Sequence, residues 1–160
     1  MSEGRKPAVI LRAADIAAQP TVFSHPYNPR SELGGAPLSR LAGLARAPVS
    51  LGRIQPGKES FVLHAHHFEE EWLYILEGQA TLISGEEEHI VGPGDFIAFG
   101  TPSLPHHLRN DSAGELVYLM GGENRDVDII DFPQQGKIGV KSPEGFIVFD
   151  AANKKNWGEL

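Results

Sequence analysis

Three side chains able to hold a metal fall close together between Gly57 and Gly78: His64, His66 and Glu71. Side chains in a strand alternate with period two, so a strand through His64 to His66 sends both rings out of the same face. Glu71 opens the apolar run Trp72 to Leu76, which reads as the next strand. Two neutral imidazoles and a carboxylate from adjacent strands make a nitrogen/oxygen donor set suited to a divalent metal. Further on, His106 and His107 bring a second histidine-bearing stretch that can supply a fourth ligand. His67 and His107 each neighbour a candidate and face away by alternation, unless a bulge shifts the register.

The remaining chemistry-bearing residues read as scaffold. Glu69 and Glu70 are expected in a solvated turn, with Glu70 the runner-up to Glu71. Glu86, Glu87 and Glu88 fit an exposed hairpin, and a calcium loop would need further oxygen ligands in pattern. His25 and His89 are expected at the surface, and Asn110 in a turn that holds the sheet. Arg53, Arg109 and Lys137 are candidates for an anionic substrate, but nothing in the sequence fixes their direction. The chain has no cysteine, which excludes disulfides, thiolate metal sites and thiol nucleophiles. No serine triad is visible.

The elements that must position the donors are short strands. At 160 residues the chain fits one domain with a proper core. Its 18 glycines and 12 prolines suit tight turns better than long helices. The spacing predicts strands at residues 49–54, 60–66, 71–76, 79–84, 87–91 and 96–99, another starting at or just before Leu108, and one at 115–120. Such a run points to an antiparallel sandwich or barrel. Residues 1–46 read as an N-terminal arm, with a turn or two of helix at residues 13–18 stopped by Pro20. Residues 47–125 read as the barrel core, and 126–160 as a C-terminal extension. In the extension, residues 127–132 could lengthen the sheet, 146–149 form a short strand, and Trp157 dock. Residues 71–76 are apolar on both faces: Leu73 and Ile75 accompany Glu71, while Trp72, Tyr74 and Leu76 point the other way. That second face calls for cover by the arm or by a second subunit, and a homodimer is the expectation.

The glycines and donors together resemble the first motif of the cupin superfamily: Gly57, His64, His66, Glu71 and Gly78 in its order and close to its spacing. One extra residue lies between Gly57 and His64. The second motif is echoed by Gly94-Asp95, then His106 and Asn110. Gly100 to Pro105 replaces the usual Pro-x-Gly turn with a longer one. The flanks, including Asp131-Phe132-Pro133 and Gly136-Lys137, look like small single-domain cupins provisionally labelled sugar-phosphate isomerases. The resemblance implies an all-β double-stranded β-helix, or jelly roll, over residues 1–160. It also implies His64, His66, Glu71 and His106 as ligands to a metal near one mouth of the barrel.

Three histidines and one glutamate suit iron, manganese, nickel, zinc or cobalt. Histidine binds metal only when neutral, so occupancy should fall below about pH 6. The expected function is a metal-dependent enzyme acting on a small polar metabolite, a sugar, sugar phosphate or carboxylic acid, by isomerisation or dioxygenation. The alternative is a non-enzymatic cupin that binds or senses a small ligand. A formal charge of -7 argues against nucleic-acid or polybasic membrane binding. Residues 1–20 lack a continuous apolar stretch of signal or membrane-span length, and a cytoplasmic location is expected.

Overall fold

The computed structural model describes residues 10–18 and 21–158. Strands dominate, in the order β1 (Thr21–Phe23), β2 (Leu33–Ala36), β3 (Val49–Ile54), β4 (Ala65–His66), β5 (Glu71–Glu77), β6 (Ala80–Ser84), β7 (Glu87–Val91), β8 (Phe96–Phe99), β9 (His106–Arg109), β10 (Leu116–Gly122), β11 (Asp128–Phe132), β12 (Lys137–Ser142) and β13 (Gly145–Asp150). Two five-residue helices, α1 (Ala13–Ala17) and α2 (Leu38–Ala42), lie in the N-terminal arm. No described helix is long and apolar enough to cross a membrane.

One layer is a six-stranded sheet in the order β1-β2-β3-β10-β5-β8. The other is built from a four-stranded sheet, β13-β12-β11-β4, and a three-stranded sheet, β7-β6-β9. A single antiparallel bridge, His64 to His106, splices these two together. The pairings within each sheet are antiparallel, and short turns join the sequential pairs β6-β7 and β11-β12. Between the layers lie Leu33, Ile54, Ile75, Leu82, Phe99, Leu108, Leu116 and Tyr118, one inward residue in two along their strands. This is the expected all-β jelly roll.

Two glycines permit the close approaches that this closure needs. Gly78, between β5 and β6, has φ +80, and a Cβ there would lie 2.3 Å from the Glu115 carbonyl oxygen. Gly52 on β3 lies opposite Tyr118 on β10, and a Cβ would come within 2.6 Å of the phenol ring. The bare backbone of Gly52 is what lets Tyr118 lie flat inside the barrel.

Several expectations are corrected. The strand expected over residues 60–66 is regular only at Ala65–His66. Carbonyls upstream that a ladder would use go elsewhere: Ser31 Oγ donates to Ser60 O, Asn28 Nδ2 to Phe61 O, and the His64 ring bonds Val62 O. The arm carries, besides the expected short helix, strands β1 and β2, which join the six-stranded sheet, and helix α2, none of which was expected. The extension carries β12, paired with both β11 and β13. Trp157 is fully exposed and does not dock. Helix α1 ends at Ala17, and Pro20, its expected stop, lies outside the described residues. On the outer face of β5 and β8, Tyr74, Leu76 and Phe96 remain exposed in the single chain, so the described part of the arm does not cover them.

Candidate metal centre

Glu71, the first residue of β5, sits at the meeting point of the histidines. Its Oε2 is 3.8 Å from His64 Nε2, 3.3 Å from His66 Nε2 and 3.2 Å from His106 Nε2. Donor atoms of His64, His66 and Glu71 all lie within 4.8 Å of one another. His106 joins from β9, its ring centroid 4.8 Å from that of His64 and 6.4 Å from that of His66. All four residues expected to cluster are therefore together. The bridge that splices the second layer, His64 to His106, is what draws the two histidine-bearing segments into one site.

The far nitrogen of each ring decides what the near one can do. His64 Nδ1 is 2.8 Å from the Val62 carbonyl oxygen, and His106 Nδ1 is 2.9 Å from that of Leu104. His66 Nδ1 is 2.5 Å from Asp128 Oδ2. Each of these partners only accepts, so each Nδ1 must carry the proton. Neutral rings then turn three Nε2 lone pairs toward an acidic oxygen. Burial alone would push the Glu71 carboxyl up, but when no cation is held and the rings take up a second proton, hydrogen bonding from His106 and His64 and the charges of His66 and His64 outweigh it. The group is held well below the usual carboxylate range and stays ionised. Four acceptors facing one another at these distances form an arrangement that a cation completes, so the donor set fits a divalent metal.

Neighbours hold the rings in place. Phe99 stacks on His106 with ring centroids 3.6 Å apart and planes 6° from parallel. Phe61 meets the His64 ring edge-on. Two cavities reach the cluster, and His64 and Glu71 line both. The first, about 240 Å³, runs into the barrel past Phe61, Leu73, Phe99, Tyr118 and Met120. The second, about 300 Å³, opens between the arm and the extension, past Phe23, His25, Phe132 and Lys141. Burial, with the charge of Glu71 nearby, pushes the Tyr118 phenol far above its ordinary range, so it stays protonated.

The rival candidates point elsewhere. His107 turns to the buried Glu59, its Nδ1 3.9 Å from the Glu59 carboxylate. His67 pairs with Asp131 at 2.8 Å. Glu70 is exposed. Glu69 is a correction: rather than lying in a solvated turn it is buried, accepting from Lys141 Nζ and the Arg125 amide, both at 2.6 Å. Arg53 is engaged by Glu115, Arg109 by Glu88 and Asp111, and Lys137 by Asp150, and none of them lines either cavity. Asn110 is wholly buried and, as expected, ties the barrel, donating to the Ile54 and Gly114 carbonyls. Glu86 to Glu88 form the exposed hairpin.

The residue that went unnoticed is Asp128. Its signal was present: in a strand over 127–132, period two places Asp128 on the same face as Ile130 and Phe132, where a charge needs a partner.

The cupin-domain family profile matches residues 50–122, the segment that carries all four clustered side chains. A solved structure from Acidithiobacillus ferrooxidans, provisionally described as a sugar phosphate isomerase, shares 32% identity at a TM-score of 0.88, over 94% of this chain and 97% of that one. This chain is a cupin. Cupins typically bind a metal, and the clustered histidines and glutamate are the candidate ligands here. A cupin-superfamily sugar phosphate isomerase from Silicibacter pomeroyi has 22% identity and a TM-score of 0.72, covering 79% of this chain and 82% of that one. A Thermotoga maritima protein described as a predicted oxalate decarboxylase has 21% identity and a TM-score of 0.60, over 73% of this chain and all of that one. These last two speak to the cupin fold alone. No curated protein matches the chain.

Proposed function

We propose that this cupin holds a divalent transition metal through His64, His66, Glu71 and His106, and that it is a metal-dependent enzyme acting on a small polar metabolite. The observation that carries the reading is the convergence of three Nε2 atoms within 3.8 Å of one carboxylate oxygen, each ring having a hydrogen-bond acceptor at its other nitrogen, so that the neutral rings present three lone pairs to a cation. When bound, the metal would polarise a substrate carbonyl or, if redox-active, bind oxygen, which corresponds to isomerisation or dioxygenation. Iron, manganese, nickel, zinc and cobalt all suit three imidazoles and a carboxylate.

The chain's own contribution is to enclose and orient. Phe61, Leu73, Phe99 and Met120 give the inner cavity an apolar wall that strips water from whatever enters. Glu71 contributes the fixed negative charge. Among the described residues, one cation lines either cavity, Lys141, and it is already held by Glu69 and Asn124. A phosphate ester would ask for more positive charge than this. A neutral sugar or a monocarboxylic acid therefore fits better than the dianionic sugar phosphate.

Metal analysis of protein purified without added metal tests the reading. About one equivalent of a transition metal in the wild type, with none in His64→Ala, is the expected result. A metal-free wild type that also refuses added cobalt and manganese would overturn it. Given a metal-loaded protein, turnover of hydroxyketones or monocarboxylic acids that survives His64→Ala unchanged would remove metal catalysis, and binding of these compounds without turnover would leave the ligand-binding alternative.

A further inference from the structure

The three histidines of the centre are held unequally. The rings of His64 and His106 rest on backbone carbonyls two residues upstream, Val62 and Leu104, in their own segments. The ring of His66 rests on a carboxylate from another part of the chain. Asp128 opens β11, beyond residues 50–122 that define the family domain. It is completely buried, and it places Oδ2 2.5 Å from His66 Nδ1. Its other oxygen, Oδ1, accepts the Phe68 backbone N–H at 2.9 Å. Strand β11 is itself fixed beside the ligand, since Ile130 pairs with His66 and Asp131 with Ala65. A buried carboxylate costs several kcal/mol in desolvation unless its oxygens are satisfied. Asp128 spends both on the short segment that presents His66.

We propose that Asp128 is the positioning residue of the metal centre: it fixes the His66 proton on Nδ1, aims the Nε2 lone pair at Glu71 and strengthens His66 as a ligand. The proposal rests on the metal-binding reading above. It makes the C-terminal extension part of the site, because a 50–122 core alone would leave His66 free to choose its tautomer and orientation. A carboxylate that accepts from a ligating imidazole increases the ring's basicity more than a carbonyl does, and partners of this kind typically contribute 10- to 100-fold in metal affinity.

The orientation of Asp128 makes two substitutions respond in the opposite order from a purely structural role. In Asp128→Asn the Phe68 N–H still needs an acceptor, so it keeps the amide oxygen at the Oδ1 position. The amide NH2 is then turned toward His66 Nδ1. That nitrogen must become the acceptor, the proton moves to Nε2, and the lone pair needed for the metal is lost. In Asp128→Ala nothing dictates the tautomer, and His66 can still offer Nε2. A structural role predicts Asn milder than Ala; a positioning role predicts Asn worse.

Two measurements decide it. Nitrogen-15 NMR of the metal-free protein, at a pH where imidazoles are neutral, reads the His66 tautomer. The expected results are Nδ1–H in the wild type and Nε2–H in Asp128→Asn. Cobalt titration reads affinity, with losses of about 10-fold for Asp128→Ala and about 100-fold for Asp128→Asn. A wild-type His66 protonated on Nε2 overturns the proposal without any variant being needed. So does an Asp128→Asn protein that keeps Nδ1–H and binds cobalt as the wild type does. A wild type that takes up no cobalt removes the metal reading instead, and the tautomer comparison then still decides whether Asp128 positions His66.

Discussion

Two partly or fully buried carboxylates near one another in sequence, Glu59 and Glu71, meet opposite treatment. Glu59 is 3% exposed and is given its own cation and donor: Arg30 from the arm pairs with one oxygen, and Asn28 Nδ2 donates to the other at 2.6 Å. Glu71 is given three imidazoles whose protons have been fixed on the wrong nitrogen to help it. Where the fold needs only to bury a charge, it supplies the counter-charge from within. Where it leaves acceptors alone, it has built a place for a cation from outside. The comparison also separates the adjacent pair His106 and His107, one turned to each carboxylate.

The largest effect should come from breaking the Glu71 side. His66→Ala or Glu71→Ala removes a donor from a four-donor set and should lower metal affinity by more than about 100-fold, measured by metal content and cobalt titration. Stripping the wild type with a chelator should lower its melting temperature, because a ligand at about 100 times its dissociation constant adds about 2.7 kcal/mol to the folded state. The variants should melt near the stripped wild type and show no such shift.

A smaller effect should follow from breaking the Glu59 side. Arg30→Ala leaves the buried carboxylate with Asn28 as its donor. Removing one partner of a fully buried pair costs about 3–5 kcal/mol; the Arg30 side chain is 61% exposed, so solvent screening reduces the expected loss to about 1–2 kcal/mol by urea unfolding. Metal content should not change. A drop in metal content in Arg30→Ala would show that the two carboxylates are coupled and that Glu59 is not a separate, self-sufficient pair.

The contrast between the two carboxylates explains what the sequence could disclose. Glu71 was legible because its partners are histidines at fixed spacing within one short stretch and a motif-like return at His106. Glu59 was not, since its partners Asn28 and Arg30 lie in an arm whose prolines and glycines carry no strand periodicity, and β1 and β2 form there through tertiary pairing. The barrel strands from Val49 to Phe99 were legible because turn glycines punctuate runs that alternate with period two. The irregular backbone before Ala65 was not, because side chains of Asn28, Ser31 and His64 claim its carbonyls, and no local pattern records that. Glu69 looked solvated as one of three consecutive glutamates; only the distant Lys141 on β12 makes its burial tolerable.

The smallest effect concerns His107, the imidazole that shares the Glu59 side. Burial lowers its pKa below the ordinary histidine value; the charge of Glu59 opposes that and His64 reinforces it. His25 is lowered as well, by burial and then by His64. A group whose folded pKa is lowered binds its proton more readily in the unfolded chain. As pH falls through the ordinary imidazole range, about 6.5, the unfolded state gains protons that the folded state refuses, and stability drops. The stability that His107 and His25 contribute to the metal-free protein should therefore be lost between about pH 7.5 and about pH 5.5. His107→Gln cannot take up that proton and should flatten the profile, by at most about 1.4 kcal/mol per pH unit. A steeper profile in His107→Gln would mean that Glu59 holds a proton on His107 after all, and that Arg30 and Asn28 do not by themselves satisfy that carboxylate; an unchanged profile would mean that His107 binds its proton alike in the folded and unfolded chain.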